Sequence, residues 1–221
     1  MERKFAELIG ILLGDGSLGI YSSKPNGITK TQYRIKVTVN SEKDARYSVY
    51  ISNLFFEVFG ANPLIRKRKE CRALDICLFG RKHLELLTRE GLVLAPKWQR
   101  AVIPSRFLNP PLDRLVLRGY MDTDGCIAAV DNNGIRYPRI EMKISPSPMQ
   151  GQLIEILKRN GFRPQINRLE RGKVRVALSG MANLAKWSED IGYSNERNLW
   201  VARSFLDAPS AKQHYKRHAQ Y

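Results

Sequence analysis

The sequence predicts an α+β protein of two pseudo-symmetric αββαββα repeats, packed through one helix each, whose antiparallel strands form a concave saddle. Three observations carry this. The stretch Leu8–Gly16 recurs as Leu117–Gly125, each with glycine at its third place and Asp-Gly at its end. The order of helical and extended patterns after each copy is the same. Several extended segments alternate apolar residues with Lys or Arg. Self-similarity over about half a chain marks two related units rather than one irregular domain. The first repeat spans 1–103, a linker marked by Pro104, Pro110 and Pro111 covers 104–112, and the second repeat with a basic tail covers 113–221.

Residues 2–14 read as a helix with Phe5, Leu8, Ile9 and Leu12 on one apolar face. Gly10 weakens its interior, and Gly119 does the same in the second copy. Close approach of the two helices at these places is the compensation expected. Residues 17–32 are turn-rich, with Pro25-Asn26-Gly27 as the tip. Tyr33–Val39 is a strand with Ile35, Val37 and Val39 on one face and Arg34, Lys36 and Thr38 on the other. A helix follows at 43–59, closed by Gly60. The hairpin 64–78 puts Arg66 and Arg68 on one face and returns Leu74, Ile76 and Leu78 to the core. A helix at 81–90 and a segment from Lys97 to Ile103 complete the half.

The second half repeats this order: motif helix 113–124, strand 137–144, helix 149–160, hairpin 163–178 and helix 181–190. Arg139, Glu141 and Lys143 hold the polar strand face, and in the hairpin Lys173 and Arg175 alternate with Val174 and Val176. The tail, Lys212–Tyr221, is polar and basic, expected to be either loosely ordered or a phosphate contact.

Charge points to the partner. The 221 residues carry 37 Lys and Arg against 21 Asp and Glu, a net +16. Self-repulsion of that size calls for a polyanion, and period-2 alternation places the cations on sheet faces that can lie along a DNA duplex. Double-stranded DNA is the expected partner. Three cysteines, Cys71, Cys77 and Cys126, show no Cys-x-x-Cys spacing, which fits reduced thiols of an intracellular protein better than a zinc site or disulfide framework. No stretch approaches the roughly 20 apolar residues of a membrane span, and the first residues do not form a secretory signal.

Each motif supplies one carboxylate at a matched place, Asp15 and Asp124. An isolated Asp-Gly is an ordinary turn; two at equivalent places of a basic repeat point to chemistry. If the motif helices pack through Gly10 and Gly119, their C-terminal ends and both acids converge. Carboxylates at the negative ends of two helices repel and call for a cation, and oxygen ligands favour a hard ion such as Mg²⁺. That ion on a basic DNA saddle reads as phosphodiester hydrolysis. Asp122 lies about 200° around the helix from Asp124, and Leu13 occupies its place in the first motif, so it is left out of the metal site.

At these residues the chain resembles the LAGLIDADG homing endonucleases in their single-chain, two-motif form. The first motif departs at the sixth place, Leu13 standing for the usual acid; the eighth-place acid, the family's metal ligand, is present as Asp15 and Asp124. The resemblance implies an intron- or intein-encoded monomer that cuts both strands of a long, poorly symmetric DNA site, leaving 3′ overhangs and 5′ phosphates. It implies Mg²⁺, with ions such as Mn²⁺ able to substitute, and the cytoplasm or nucleoid of a prokaryote, or an organelle, as its place. The carbonyls of Gly14 and Thr123 become further ligands. A lysine late in each half falls on Lys97, with Arg197 its counterpart by repeat alignment. A glutamine often found near the end of the first strand falls on Val39 and Ile144, leaving Asn40 and Ser145 as substitutes. The DNA-contacting set is Lys30, Gln32, Arg34, Lys36, Thr38, Arg66, Arg68, Arg72 and Asp75 in the first half. In the second it is Arg139, Glu141, Lys143, Asn167, Arg171, Lys173 and Arg175. An RNA maturase or non-cleaving DNA-binding regulator on the same fold is the alternative; loss of either acid would favour it, and both are present.

Overall fold

A computed structural model describes residues 1–69 and 71–208. The tail Lys212–Tyr221 lies outside the described residues. The first half runs α1 (Glu2–Leu13), β1 (Gly16–Ser23), β2 (Lys30–Asn40), α2 (Ala45–Phe59), β3 (Leu64–Lys67), β4 (Ala73–Phe79) and α3 (Arg81–Arg89). The second runs α4 (Leu112–Asp124), β5 (Gly125–Asn132), β6 (Ile135–Ile144), α5 (Pro148–Arg159), β7 (Gln165–Arg168), β8 (Val174–Ser179) and α6 (Met181–Asp190), then adds α7 (Glu196–Leu206). Each half holds one antiparallel sheet, ordered β1-β2-β4-β3 and β5-β6-β8-β7. The expected αββαββα repeat is therefore present twice.

Register follows the alternation. Ile35 pairs with Leu78 and Val37 with Ile76, so the apolar side chains share the face turned to the core. Lys36 opposite Cys77 and Thr38 opposite Asp75 occupy the other face. A one-residue slip would exchange the two faces, so burial fixes the pairing. The core side of the first sheet meets Ile51, Leu54 and Phe55 of α2. In the second half Ile140, Met142 and Val176 share the core with Leu153, Ile156 and Leu157 of α5. Gly60 closes α2 in the left-handed conformation at φ 65°, as expected of a glycine there.

Three local readings change. β1 and the start of β2 lie inside 17–32, where the sequence suggests only turns. Just Gly16 and Leu18 of β1 are buried and residues 20–23 are exposed, so pairing with β2 rather than an apolar pattern makes this strand. Helix α7 is not evident from the motif repeat because it has no partner in the first half. Its signal was present: Asn195 caps it by accepting from the Arg197 N–H at 3.0 Å, and Asn198 and Ala202 form its buried side. Finally, α1 is not merely one-faced, since every residue from Phe5 to Leu13 is buried. A stretch buried on every side lies inside the protein, and Glu7 is its one charged member.

α1 owes that burial to α4, against which it packs more extensively than any other pair of helices. A Cβ on Gly10 would lie 2.2 Å from the Val116 carbonyl oxygen, and one on Gly119 2.2 Å from that of Glu7. The two helix backbones touch reciprocally where a side chain would hold them apart. Glu7, 2% exposed, forms an ion pair with Arg118 across this seam and accepts from the Ser194 hydroxyl at 2.5 Å.

Candidate metal centre and nucleic-acid face

Because α1 and α4 pack backbone to backbone, their C-terminal ends arrive side by side. A Cβ on Gly14 would stand 2.1 Å from Thr123 Oγ1 and 3.4 Å from Asp124 Oδ2. Asp15 and Asp124 follow at once from opposite halves. Each keeps an open side to solvent while protein crowds its carboxyl group. That crowding, with the charge of Asp15 next, raises Asp124 to about 6. Burial likewise raises Asp15, against the Lys97 charge; Asp44 adds to the rise and Arg197 opposes it. Two carboxylates that disfavour each other's charge are the electrostatic condition a cation relieves. Among the described residues no three His, Cys, Asp or Glu cluster to hold an ion. An ion between Asp15 and Asp124 would thus complete its shell from carbonyl, water and phosphate oxygens, as hard divalent ions do.

Lys97 lies at this centre. Its ammonium donates to the last carbonyls of α1, Leu12 at 3.0 Å, Leu13 at 2.8 Å and Gly14 at 2.5 Å. A cation at the negative end of a helix dipole also satisfies carbonyls that the helix leaves without partners. Burial lowers Lys97 to about 8, the charges of Asp124 and Asp15 working the other way. The Gly14 carbonyl predicted as a ligand is thus bonded to Lys97 here. The Thr123 hydroxyl turns back on its own helix, to Gly119 O at 3.1 Å and Tyr120 O at 3.0 Å.

The place equivalent to Lys97 belongs to Asn195, not to Arg197. The Lys97 carbonyl accepts from Arg100 and Ala101 N–H, both at 3.0 Å; the Asn195 carbonyl accepts from Asn198 and Leu199 N–H at 3.0 and 3.2 Å. Asn195 Nδ2 donates to Asp122 O at 3.2 Å, and Asp122 holds the same motif place as Leu13. Alignment by counting along the repeat misses this because the loops before the two residues differ in length. Arg197 instead pairs with the buried Asp44 at 3.2 Å, close enough that both influence Asp15. Asp122 faces α7: its carboxylate accepts from Ser194 N–H at 2.6 Å, Asn195 N–H at 3.0 Å and Asn198 Nδ2 at 2.8 Å. Burial, resisted by these donors, pushes it to about 7. Tyr120, buried at the place of Ile11, donates to Lys143 O at 2.9 Å.

The polar faces flank this centre. Asp15 O accepts from Thr38 N–H at 3.3 Å, and register continues the row through Asp75 to Arg66. The corresponding row in the second half is Lys143, Arg175 and Asn167. Val39 and Ile144 point into the core, so neither stands beside the acids. Asn40 Oδ1 is occupied by Glu42 and Lys43 N–H at 3.0 and 2.9 Å, and Ser145 O accepts from Ser147 Oγ at 3.2 Å. Each face has an acidic hub. Asp75 accepts both Arg68 nitrogens at 2.9 and 2.8 Å and Thr38 Oγ1 at 2.7 Å, with Lys36 at 3.9 Å. Burial works against the Asp75 charge, but Arg68, Thr38 and Lys36 outweigh it and hold the carboxyl below its usual range. Glu141 contacts Arg139 at 3.2 Å and Arg175 at 3.8 Å.

Lys30 and Gln32 are exposed on the outer part of β2, and Arg72, also exposed, pairs with Glu42 at 3.5 Å. Arg171 sits in the β7–β8 turn at φ 55°. Lys173 Nζ lies 5.6 Å from the Trp98 ring and helps lower Asp124. Two aromatics outside the expected set also stand here: Tyr21, whose hydroxyl accepts from Arg34 at 2.7 Å, and Trp98. An aromatic beside a cation on a basic face was the available signal.

The sequence pattern of the LAGLIDADG DNA endonuclease family matches residues 5–182. A curated relative, replication factor C small subunit of Methanocaldococcus jannaschii, is 26% identical over 204 residues; they are 90% of this chain and 10% of that protein. The chain thus spans about a tenth of the relative's length. Among solved structures, mesophilic variants of the homing endonuclease I-DmoI align with TM-score 0.59 and 16% identity, covering 86% of this chain and 90% of that one. The meganuclease I-SmaMI bound to uncleavable DNA gives TM-score 0.62 at 12% identity over 95% of both chains. The LAGLIDADG homing endonuclease I-LtrWI bound to target DNA gives 0.63 at 11%, covering 96% and 92%. With both motifs inside the matched region and the repeat fold around them, the chain belongs to the LAGLIDADG DNA endonuclease family.

Proposed function

We propose that this chain is a monomeric, site-specific double-strand DNA endonuclease that uses Mg²⁺, with Mn²⁺ able to substitute. It would leave 3′ overhangs and 5′ phosphates at a long asymmetric site. The observation that carries the reading is the convergence of Asp15 and Asp124 at the ends of paired helices, between two basic sheet faces. Support comes from fold neighbours described as I-DmoI in complex with DNA and Mn, and I-SmaMI bound to uncleaved DNA with calcium. Three unpaired thiols suit a reducing interior, and no helix among the described residues is long and apolar enough to cross a membrane.

Asp15 and Asp124 would hold the divalent ions, with the Thr123 carbonyl beside them and the Gly14 carbonyl joining only if Lys97 gives it up. A bound ion would polarise the phosphodiester and stabilise charge on the leaving oxygen. Lys97, with its pKa near 8, is mostly charged at neutral pH and brings a cation to the same centre. Arg197 brings a second from the Asp44 side. On the sheets, Lys and Arg neutralise phosphates, while Thr38, Gln32, Asn167, Asp75 and Glu141 supply groups able to meet base edges.

The test is cleavage of sites selected from a random duplex library with Mg²⁺. Asp15→Asn and Asp124→Asn should each abolish double-strand cutting and retain binding. Normal cutting by either variant would remove the metal assignment. Binding should weaken with salt at a log–log slope of about 0.9 per neutralised phosphate; a nearly flat response would refute the basic-face assignment.

A further inference from the structure

Lys97 sits on a segment that belongs to the first half in sequence and to the second half by contact. Its carbonyl starts a turn closed by Arg100 and Ala101 N–H. Arg100 Nη2 braces that turn on Leu94 O at 2.8 Å and Pro96 O at 2.6 Å. Every second residue is then bonded to the second half. Gln99 N–H donates to Pro146 O at 2.7 Å, and Ala101 O accepts from Met149 N–H at 3.1 Å. One side chain holds both backbone groups of Ile103: its N–H donates to Gln152 Oε1 at 2.8 Å, and its carbonyl accepts from Gln152 Nε2 at 3.0 Å. Ala101 and Ile103 are buried, so these groups need protein partners. Met149 and Gln152 lie three apart on one side of α5, and the Met149 N–H is a donor that the helix start leaves free. Counted back from Gly60 and Gly161, which follow α2 and α5 at φ 65° and 80°, the place of Gln152 in the first half is Ile51. Ile51 is buried and its side chain has no donor or acceptor. The clasp is built once, in the half opposite to the lysine it serves.

We infer that Gln152 is a positioning residue: with the first turn of α5 it sets the Lys97 ammonium on the end of α1, so the cation at the centre is placed by the opposite repeat. A lysine side chain is long and freely rotating, and holding its ammonium on three carbonyls costs rotamer freedom. That cost stays small only when the backbone carrying the side chain is already fixed. Gln152 fixes it through Ile103, with the bonds at Ala101 and Gln99 between. It acts wholly through the backbone of this segment, so its loss changes how often Lys97 is in place rather than how DNA is held. The effect on cleavage rests on the endonuclease reading above; the effect on the placement of Lys97 does not.

The experiment uses the full chain and the variants Gln152→Ala, Gln152→Met, which keeps the length and removes both polar atoms, and Lys97→Met. The first readout is the set of carbonyl ¹³C shifts of Leu12, Leu13 and Gly14 in metal-free protein, which report the ammonium directly. Lys97→Met moves them, and both Gln152 variants should move them in the same direction. Added to Lys97→Met, Gln152→Ala should move them no further, because one contact cannot be lost twice. Single-turnover cleavage of a target duplex should slow by about 10–10²-fold in the Gln152 variants, the scale of a misplaced group. The Kd for that duplex without divalent ions should stay within about twofold, since no phosphate contact is lost. Conversely, Lys97→Met alone should quicken amide exchange at Gln99 and Ile103 by at least about threefold, because coupling between two sites is reciprocal. That measurement decides if neither Gln152 variant folds. Unchanged Leu13 and Gly14 carbonyl shifts in a folded Gln152 variant, a further movement in the double variant, or unchanged exchange in Lys97→Met would overturn the positioning role. A wild type that cuts no duplex while the carbonyl shifts move as expected would overturn the endonuclease reading and leave the positioning of Lys97 standing.

Discussion

Replacing Gly10 with alanine tests the seam on which the centre depends. The new methyl would sit 2.2 Å from the Val116 carbonyl oxygen and 3.0 Å from the Tyr120 nitrogen, both backbone atoms with no rotamer to yield. Restoring ordinary contact needs α1 and α4 to part by about 1 Å. Alanine gains about 1 kcal/mol over glycine in a helix interior. Overpacking typically costs about 1–3 kcal/mol, and a collision with rigid backbone belongs at or beyond the top of that range. A net loss of about 2 kcal/mol should lower Tm by about 4–8 °C for a chain of this size. The same parting separates Asp15 from Asp124, and a misplacement of about 1 Å can cost about 10²-fold in rate. Gly151→Ala in α5 is the control, because its Cβ would meet nothing within 4 Å. That variant should gain about 0.5–1 kcal/mol. Thermal and urea denaturation of both, with cleavage rates, decide the matter. Gly10→Ala behaving as Gly151→Ala does would refute the close-packed seam. Gly10→Ala/Gly119→Ala should fall short of additivity, since one helix displacement relieves both clashes.

Glu7→Gln should destabilise the fold by about 3 kcal/mol in urea denaturation, because it leaves the Arg118 guanidinium without its buried counter-charge; a loss below about 1 kcal/mol would contradict this. Asp75→Ala releases Arg68 and Lys36 from their shared carboxylate. Anisotropy titrations across NaCl should then show tighter non-specific DNA binding and a log–log slope steeper by about 0.9–1.8, with unchanged binding as the contrary result. The folded-state pKa of Asp124, about 6, stands above its ordinary value of 3.8. The folded protein therefore binds this proton more tightly than the unfolded chain, and metal-free stability is lost as pH rises through that interval. Asp124→Asn should remove this component, seen as a difference in slope between pH 4 and 7 in EDTA. Divalent ion at 100 times its Kd should restore about 2.7 kcal/mol at pH 7 in wild type. It should do so in neither acid variant.

The repeat, the two sheet faces and the paired acids were legible because each is a local pattern. Strand alternation needs only neighbours two apart, as Ile35, Val37 and Val39 show against Arg34, Lys36 and Thr38. The recurrence of Gly10 and Asp15 as Gly119 and Asp124 needs only the chain compared with itself. β1 was illegible for the opposite reason: its outer half is exposed and exists through hydrogen bonds to β2. Helix α7 has a cap and a buried side but no counterpart in the repeat.

By itself the sequence determined the architecture and the two carboxylates, since periodic burial and a duplicated motif are written along the chain. Tertiary structure alone decided which groups meet at the centre. Lys97 reaches carbonyls more than 80 residues away, Asn195 takes the matching place, Asp122 turns to α7, and Asp75 binds Arg68 and Thr38. Such partnerships depend on where packed helices end and on the lengths of the loops between them, and no local pattern records either.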